Sequence, residues 1–246
     1  MGTPGVGVQG GGYPEQGSWS ASVGWRYQKS DRHFVGSHYE EQRDEQESQV
    51  INNLNMADLS IAYQATKRVQ LSLGVPYVMA TRSQALRSQG VNLERYQTNA
   101  RGIGDMVLSA RRWMFDPDTH LGGNLQLGFG VKLPTGANNV TDTFRVLSAG
   151  TISNVVRTVD QSIQPGDGGF GIVGEYGLFK SVMGGKVSLY SSGAYLANPQ
   201  ETSKVLTYRG GAGEHIMSIA DQYFLRAGGA WALPWLQGLR LTDTKC

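Results

Sequence analysis

Cysteine is almost missing: Cys246, the final residue, is the only one in 246. That excludes an internal disulfide framework and a cysteine-based zinc site. Also missing is any run of roughly 18 to 20 apolar residues, so the sequence encodes no membrane-spanning helix. Charge of one sign is lacking too. Lys and Arg number 22 against 20 Asp and Glu, a net +2, which gives no electrostatic footprint for a nucleic-acid partner. The opening MGTPGVGVQGGGYPEQG has neither the charged nor the apolar region of a signal peptide. That leaves a cytoplasmic protein or a chain shown without its natural start.

Glycine is abundant, with 34 residues, about twice the usual ~7% share. It shows no collagen period, so the glycines belong to turns, bends or crowded backbone. Eleven Tyr, five Trp and seven Phe are too many aromatics for a disordered chain.

The dominant signal is a period of two, the mark of a strand with one face covered. From Leu121 to Leu133 the odd positions carry Leu121, Gly123, Leu125, Leu127, Phe129, Val131 and Leu133. The even ones carry Gly122, Asn124, Gln126, Gly128, Gly130 and Lys132. Residues 17–28 set Trp19, Ala21, Val23, Trp25 and Tyr27 against Ser18, Ser20, Ser22, Arg26 and Gln28. The pattern recurs over 59–64, 69–79, 104–111, 170–178, 186–196 and 222–231, and a ninth strand is expected to begin at Gly238. Two places break phase. Leu54 and Met56 disagree with Leu59, which predicts a bulge near Ala57–Asp58 or a later strand start. Arg112 would join the apolar face, so its strand ends near Ala110 or Arg112 lies at a boundary where it can snorkel.

Short connections are expected near 65–68, 114–120, 179–185 and 233–237, and long polar ones near 29–50, 81–102, 134–166 and 198–220. Placing every long loop at one end is a property of outer-membrane barrels. A strand of 13 residues at ~3.3 Å each, tilted by about 40°, spans near 33 Å, enough for their apolar band of ~25 Å. Soluble sandwiches and lipocalin-like barrels also alternate, but their polar faces meet bulk water. Here that face carries Ser, Gln, Gly and Asn with about one charge per strand, while charge crowds the loops, as in residues 31–47. The expected fold is therefore all-β: an antiparallel up-and-down transmembrane β-barrel of outer-membrane type. Eight strands are visible with the start of a ninth, cut at both ends. Residues 1–16 read as a flexible glycine-rich tail and 17–246 as one barrel domain.

The candidate lumen-lining residues are Arg26, Gln70, Asp105, Arg111, Gln126, Lys132, Glu175, Lys186 and Arg226. Buried charges must pair or stay hydrated. These nine either brace the wall or tune what passes along it.

Catalytic and metal motifs are weak. Gly-x-Gly-x-x-Gly occurs at Gly5–Gly10 and Gly166–Gly171, without the strand-then-helix context that nucleotide binding requires. His33, His38, His120 and His215 fall in loops or turns, and none has a serine or acid at a recognisable catalytic spacing. His33 and His38 near Glu40 and Glu41 make at most a weak surface metal site. No enzyme, cofactor or resident metal is expected.

The stretches GIGDMVLSARRWMF (102–115), GFGVKLPTG (128–136) and GDGGFGIVGEYGLF (166–179) resemble the outer-membrane transporter family named for the MetA pathway of phenol degradation. The likeness covers roughly residues 17 to 242, and Asp221-Gln222-Tyr223 opening a strand also fits. It implies a Gram-negative outer-membrane barrel in a lipid bilayer, passing small compounds, hydrophobic or aromatic ones among them. It carries over no catalytic residue. A member of that family would begin with a secretory signal and end on a strand with a terminal aromatic, whereas this chain ends LRLTDTKC. Three functions fit the pattern: a transporter or pore, a non-transporting structural or interaction barrel of the envelope, and a soluble all-β binding protein.

Overall fold

The computed structural model describes residues 13–207 and 216–231. The ninth strand expected from Gly238, the turn at 233–237, the Gly5–Gly10 motif, His215 and Cys246 lie outside them. The strands run in chain order as β1 Trp19–Ser30, β2 Phe34–Val35, β3 His38–Tyr39, β4 Ile51–Gln64, β5 Val69–Ser88, β6 Val91–Ile103, β7 Met106–Trp113 and β8 Gly123–Leu133. They continue as β9 Thr141–Ser148, β10 Thr151–Thr158, β11 Gly171–Val182, β12 Val187–Ala197, β13 Thr202–Leu206, β14 Ile216–Ser218 and β15 Gln222–Trp231.

The molecule is all-β and antiparallel, and its main sheet curls into a half-barrel in the order β1-β4-β5-β7-β8-β11-β12-β15. Each alternating segment expected from the sequence lies on one strand of this path. Short turns at 65–68, 114–122 and 183–186 join strands at one end. The first is tightened by Thr66, whose hydroxyl oxygen accepts from the backbone N–H of Arg68 and of Val69 (3.2 and 3.0 Å). The connections at the other end are long.

Alternation decides which way each side chain points. On β5 the even residues Ser72, Val78, Ala80 and Arg82 are buried on the concave face, while Leu71 and Tyr77 stand exposed on the convex one. On β8, Asn124, Gln126 and Lys132 are buried, and Leu127, Phe129 and Val131 are exposed. The polar face is thus the covered one. Aromatics gather in two rows on the convex face. Trp19 packs on Tyr63 at 4.8 Å, and Trp231 pairs with Val187 near the short turns. Tyr27 pairs with Asn55, Tyr77 with Ala57 and Tyr195 with Tyr223, toward the long connections. From Asn55 to Tyr63, and from Val187 to Tyr195, the rows are eight residues apart. That is about 26 Å along a strand, or ~20 Å after a 40° tilt.

Two expectations are corrected, and of the two alternatives for Arg112 the strand end near Ala110 is set aside. The stretch 81–102 is a hairpin instead of an irregular loop: β5 continues to Ser88 and β6 returns from Val91 to pair with it, with one register shift between Leu86 and Arg87. Its turn residues Gln89 and Gly90 both have positive φ (49° and 83°), as a type I′ turn requires. Neither face there is apolar, so periodicity gave no strand signal. β4 carries no bulge and pairs regularly with β1 and β5. Leu54 and Met56 keep phase by facing the concave side, where an apolar cluster receives them. Finally, β7 stays regular through Trp113, leaving Arg112 exposed on the convex face at the short-turn end.

That apolar cluster belongs to the connection between β8 and β11. Its hairpin β9–β10 and the 3-10 turn Gln161–Ile163 fold back onto the concave face. Phe144, Val159 and Ile163 are buried against Val78, Ala80 and Ala100, with Leu54, Met56 and Tyr96 beside them. A one-sided strand pattern thus becomes covered on its inner face at this end. The replacement Phe144→Ala removes a side chain only 2% exposed, at a cost of about 3–5 kcal/mol. Hydrogen exchange should then speed up across 141–158 while β8 and β11 keep their protection; equal loosening of all four strands would show that the hairpin is not a separate cover.

Candidate functional site

Away from this cover the concave face carries a small buried apolar cluster of Val107, Val173, Ala194 and Leu196, but most of it is polar, and its charges find partners across the strands. Arg111 on β7 and Glu175 on β11 are separated by β8, where the residue registered with both is Gly128. Nε of Arg111 donates to Glu175 at 2.5 Å and Nη2 at 3.1 Å, with both side chains almost fully buried. A Cβ on Gly128 would stand 2.9 Å from Cγ of Arg111 and 3.0 Å from Oε2 of Glu175. Glycine is there because the ion pair passes over it.

Other candidates are placed as follows. Arg26 donates to Asp58 on the neighbouring strand at 2.7 and 3.2 Å. Arg226 donates to the Ser192 hydroxyl at 2.7 Å. Gln70 stands in register between Gln64 and Arg111, and Gln126 is buried beside the Arg111–Glu175 pair. A buried pair of serines, Ser72 and Ser109, shares a hydrogen bond of 2.9 Å. Lys186, expected on a strand, instead lies exposed in the turn before β12, which begins at Val187. Arg111, Gln126, Glu175, Ser192 and Arg226 line one shallow pocket with Phe224.

Asp105 and Lys132 belong to a knot at the edge of the cover. Between β6 and β7 the chain breaks at Gly104-Asp105. The Asp105 carboxylate accepts from the backbone N–H of Gly136 (2.9 Å) and of Asp167 (3.0 Å). Thr135 accepts from the N–H of Met106 at 2.9 Å and donates to the carbonyl of Gly104 at 3.1 Å. The ammonium of Lys132 bonds both oxygens of Asp167 and lies 3.6 Å from Asp105. Gly136 and Gly166 meet back to back, and a Cβ on either would come within 2.7 Å of the other's Cα. The connection is therefore pinched shut at its base. Gly104-Asp105, Pro134-Thr135-Gly136 and Gly166-Asp167, drawn from the three motif stretches, meet at this point.

Sequence reasoning missed several residues of the site. Asp58 shares the phase of Leu54 and Met56, so its inward direction was readable once β4 is regular. Arg82 pairs with Asp160 at 3.3 Å and donates to Asn52 and Ser162, but the hairpin that places it was not foreseen. Near the short turns Tyr13, Trp113 and Phe179 pack edge to face at 5.1 to 5.9 Å. Tyr13 donates to the His120 carbonyl at 2.6 Å and accepts from the Asn124 amide at 2.9 Å. It falls in the stretch expected to be a tail. His33 lies 3.5 Å from Glu40, and His120 stacks on Phe115 at 4.9 Å. Among the described residues, no group of three or more His, Cys, Asp and Glu side chains is placed to hold a metal.

Outside the eight-strand band, Arg145 on β9 bonds Glu94 on β6 at 2.6 Å, docking the cover to the hairpin. The hydrogen bond from Arg145 holds the Glu94 carboxyl below its usual range. Its stabilising effect is therefore full above the ordinary glutamate value and is lost as pH falls through the lowered one. Amide exchange in β9–β10 should quicken below about pH 4, and Glu94→Gln should abolish that step while leaving exchange at neutral pH already raised. The buried pair gives a larger effect. Glu175→Gln leaves Arg111 without its counter-charge and lowers unfolding stability by about 3–5 kcal/mol, measured by denaturant titration. An Arg111→Met, Glu175→Met double variant should recover most of that loss. Equal losses in the single and double variants would mean that charge pairing is not what matters there.

No protein-family model matches this chain, and neither does any curated protein.

Proposed function

We propose that the chain forms a transmembrane β-barrel of outer-membrane type that passes small compounds, hydrophobic or aromatic ones among them. The observation that carries this is the inverted sheet: polar side chains are covered on the concave face, and Leu, Val, Phe and Trp stand exposed on the convex one. In water such a convex face would be a large apolar patch; against lipid it is the expected surface. Two aromatic rows about 20 Å apart suit the two interfaces of a bilayer. No helix among the described residues is long and apolar enough to cross a membrane, which leaves strands as the spanning elements. The concave face then becomes the lumen, lined by Arg26, Gln70, Asp105, Arg111, Gln126, Lys132, Glu175 and Arg226.

A closed envelope scaffold is the second reading, favoured by two features. The 137–165 segment covers the lumen at the long-loop end, and the lumen charges already engage one another or nearby hydroxyls. Extraction should require detergent, and the folded form should migrate differently in gels before and after boiling. A chain that stays soluble without detergent and shows no heat shift sinks the barrel. Proteoliposome swelling and single-channel current then separate the two functions: solute entry supports transport, and tight vesicles support the scaffold.

A further inference from the structure

Charge on the convex face is sorted by sign. The only acids on the eight main strands are Asp58 and Glu175, and both face inward. Where strand ends carry outward charge it is basic: Lys29 toward the long connections, and Arg112 and Lys180 toward the short turns. The neighbouring turns cancel their own charge. Lys67 pairs with Asp118 at 2.5 Å and Arg68 with Asp116 at 2.7 Å. Among the described residues neither Arg112 nor Lys180 has a carboxylate partner within 4 Å.

The surface beside Arg112 is a shallow apolar groove. Val69, Met114, Leu127 and Phe129 wall it. Ala110, registered between Leu71 and Phe129, forms its floor. The groove starts at the guanidinium and runs along the strands toward the middle of the sheet. Lys180 lies two strands away, with its stem across Gly123, where a Cβ would be 2.8 Å from Cδ. That glycine lets the stem lie flat and its ammonium reach the turn end.

We propose that this rim binds glycerophospholipid: the guanidinium of Arg112 holds the headgroup phosphate, and one acyl chain lies in the Val69–Ala110–Leu127–Phe129 groove. Lys180 holds the phosphate of a second lipid. A planar guanidinium matches a phosphodiester with two parallel hydrogen bonds, and an unpaired cation beside hydrocarbon suits a lipid that offers both. The lipid is one of net negative charge, because among the described residues no acid of the eight main strands faces outward to repel it. The assignment rests on the membrane-barrel reading and fixes which end of the barrel meets a phospholipid leaflet.

The test is native mass spectrometry of the full chain in neutral detergent, titrated with phosphatidylglycerol and separately with phosphatidylcholine. Wild type should retain phosphatidylglycerol preferentially. Arg112→Gln should weaken its retention roughly five-fold, Arg112→Lys should keep part of it, and Lys180→Gln should remove the second adduct only. Arg68→Gln, at a cation already paired with Asp116, should change nothing. Retention unchanged in Arg112→Gln, or lost equally in Arg68→Gln, overturns the site. Each variant is first checked for heat-modifiable migration. A wild type that lacks it and needs no detergent overturns the barrel and this site together, whereas a heat-modifiable wild type with indifferent Arg112 variants overturns the site alone.

Discussion

Alternation with a period of two is the constraint on which the rest of this structure depends. It puts hydrocarbon on the convex face of the strands in the path and most of the hydroxyl, amide and charge on the concave one, where the apolar exceptions gather into two buried clusters. Once the sheet curls, the polar set is brought together and must satisfy itself. The pairs Arg111–Glu175 and Arg26–Asp58 and the serine pair Ser72–Ser109 are the outcome. A slip of one residue in any strand would turn these groups outward and leave their partners buried alone. Register is therefore specified twice, by the convex apolar stripe and by the concave pairing.

Glycine works on the polar side of that arrangement for two separate reasons. Gly128 clears a path for an ion pair spanning three strands, while Gly136 and Gly166 allow two backbones to touch. The second contact matters more for architecture. By pinching the base of the 137–165 segment, with Asp105 accepting from both sides, it converts a long connection into a compact body. The hairpin β9–β10 inside it can then present Phe144, Val159 and Ile163 as one apolar surface. The high glycine content thus reflects close approaches of chain to chain as well as turns.

Much of the sheet was legible in the sequence, because the runs from Trp19 to Tyr27, from Val69 to Met79 and from Leu125 to Leu133 follow a strict period. The directions of Arg26, Arg111, Lys132 and Glu175 followed from the same rule. What was hidden depends on contacts distant in sequence. Leu54 and Met56 looked out of phase because nothing local announces the cover they pack against. The β5–β6 hairpin was hidden because, beyond the apolar band, neither of its faces is greasy. Asp105 was seen as a candidate lining residue, but its role in joining two loop ends requires knowing that residues 136 and 167 return to it. Arg112 was recognised as a departure from the apolar stripe, and it does stand exposed at the short-turn end of that stripe.

Under the proposed transport function, the cover would also constrain the solute pathway through the concave face. Lifting it into water would expose Phe144, Val159 and Ile163, each worth about 1.5–3 kcal/mol of burial. It would also break the contacts of Arg82 with Asp160 and of Arg145 with Glu94. Opening, which the proposed transport would need, would therefore be costly unaided. A polar solute offers nothing to replace the lost apolar contacts with Val78, Ala80, Leu54 and Met56. An apolar or aromatic one would, because it could occupy that surface with the segment displaced and lower the cost of an open state by its own burial. Selectivity on this basis would arise at the apolar cover and not at the charged pairs below it, whose side chains are committed to holding the wall.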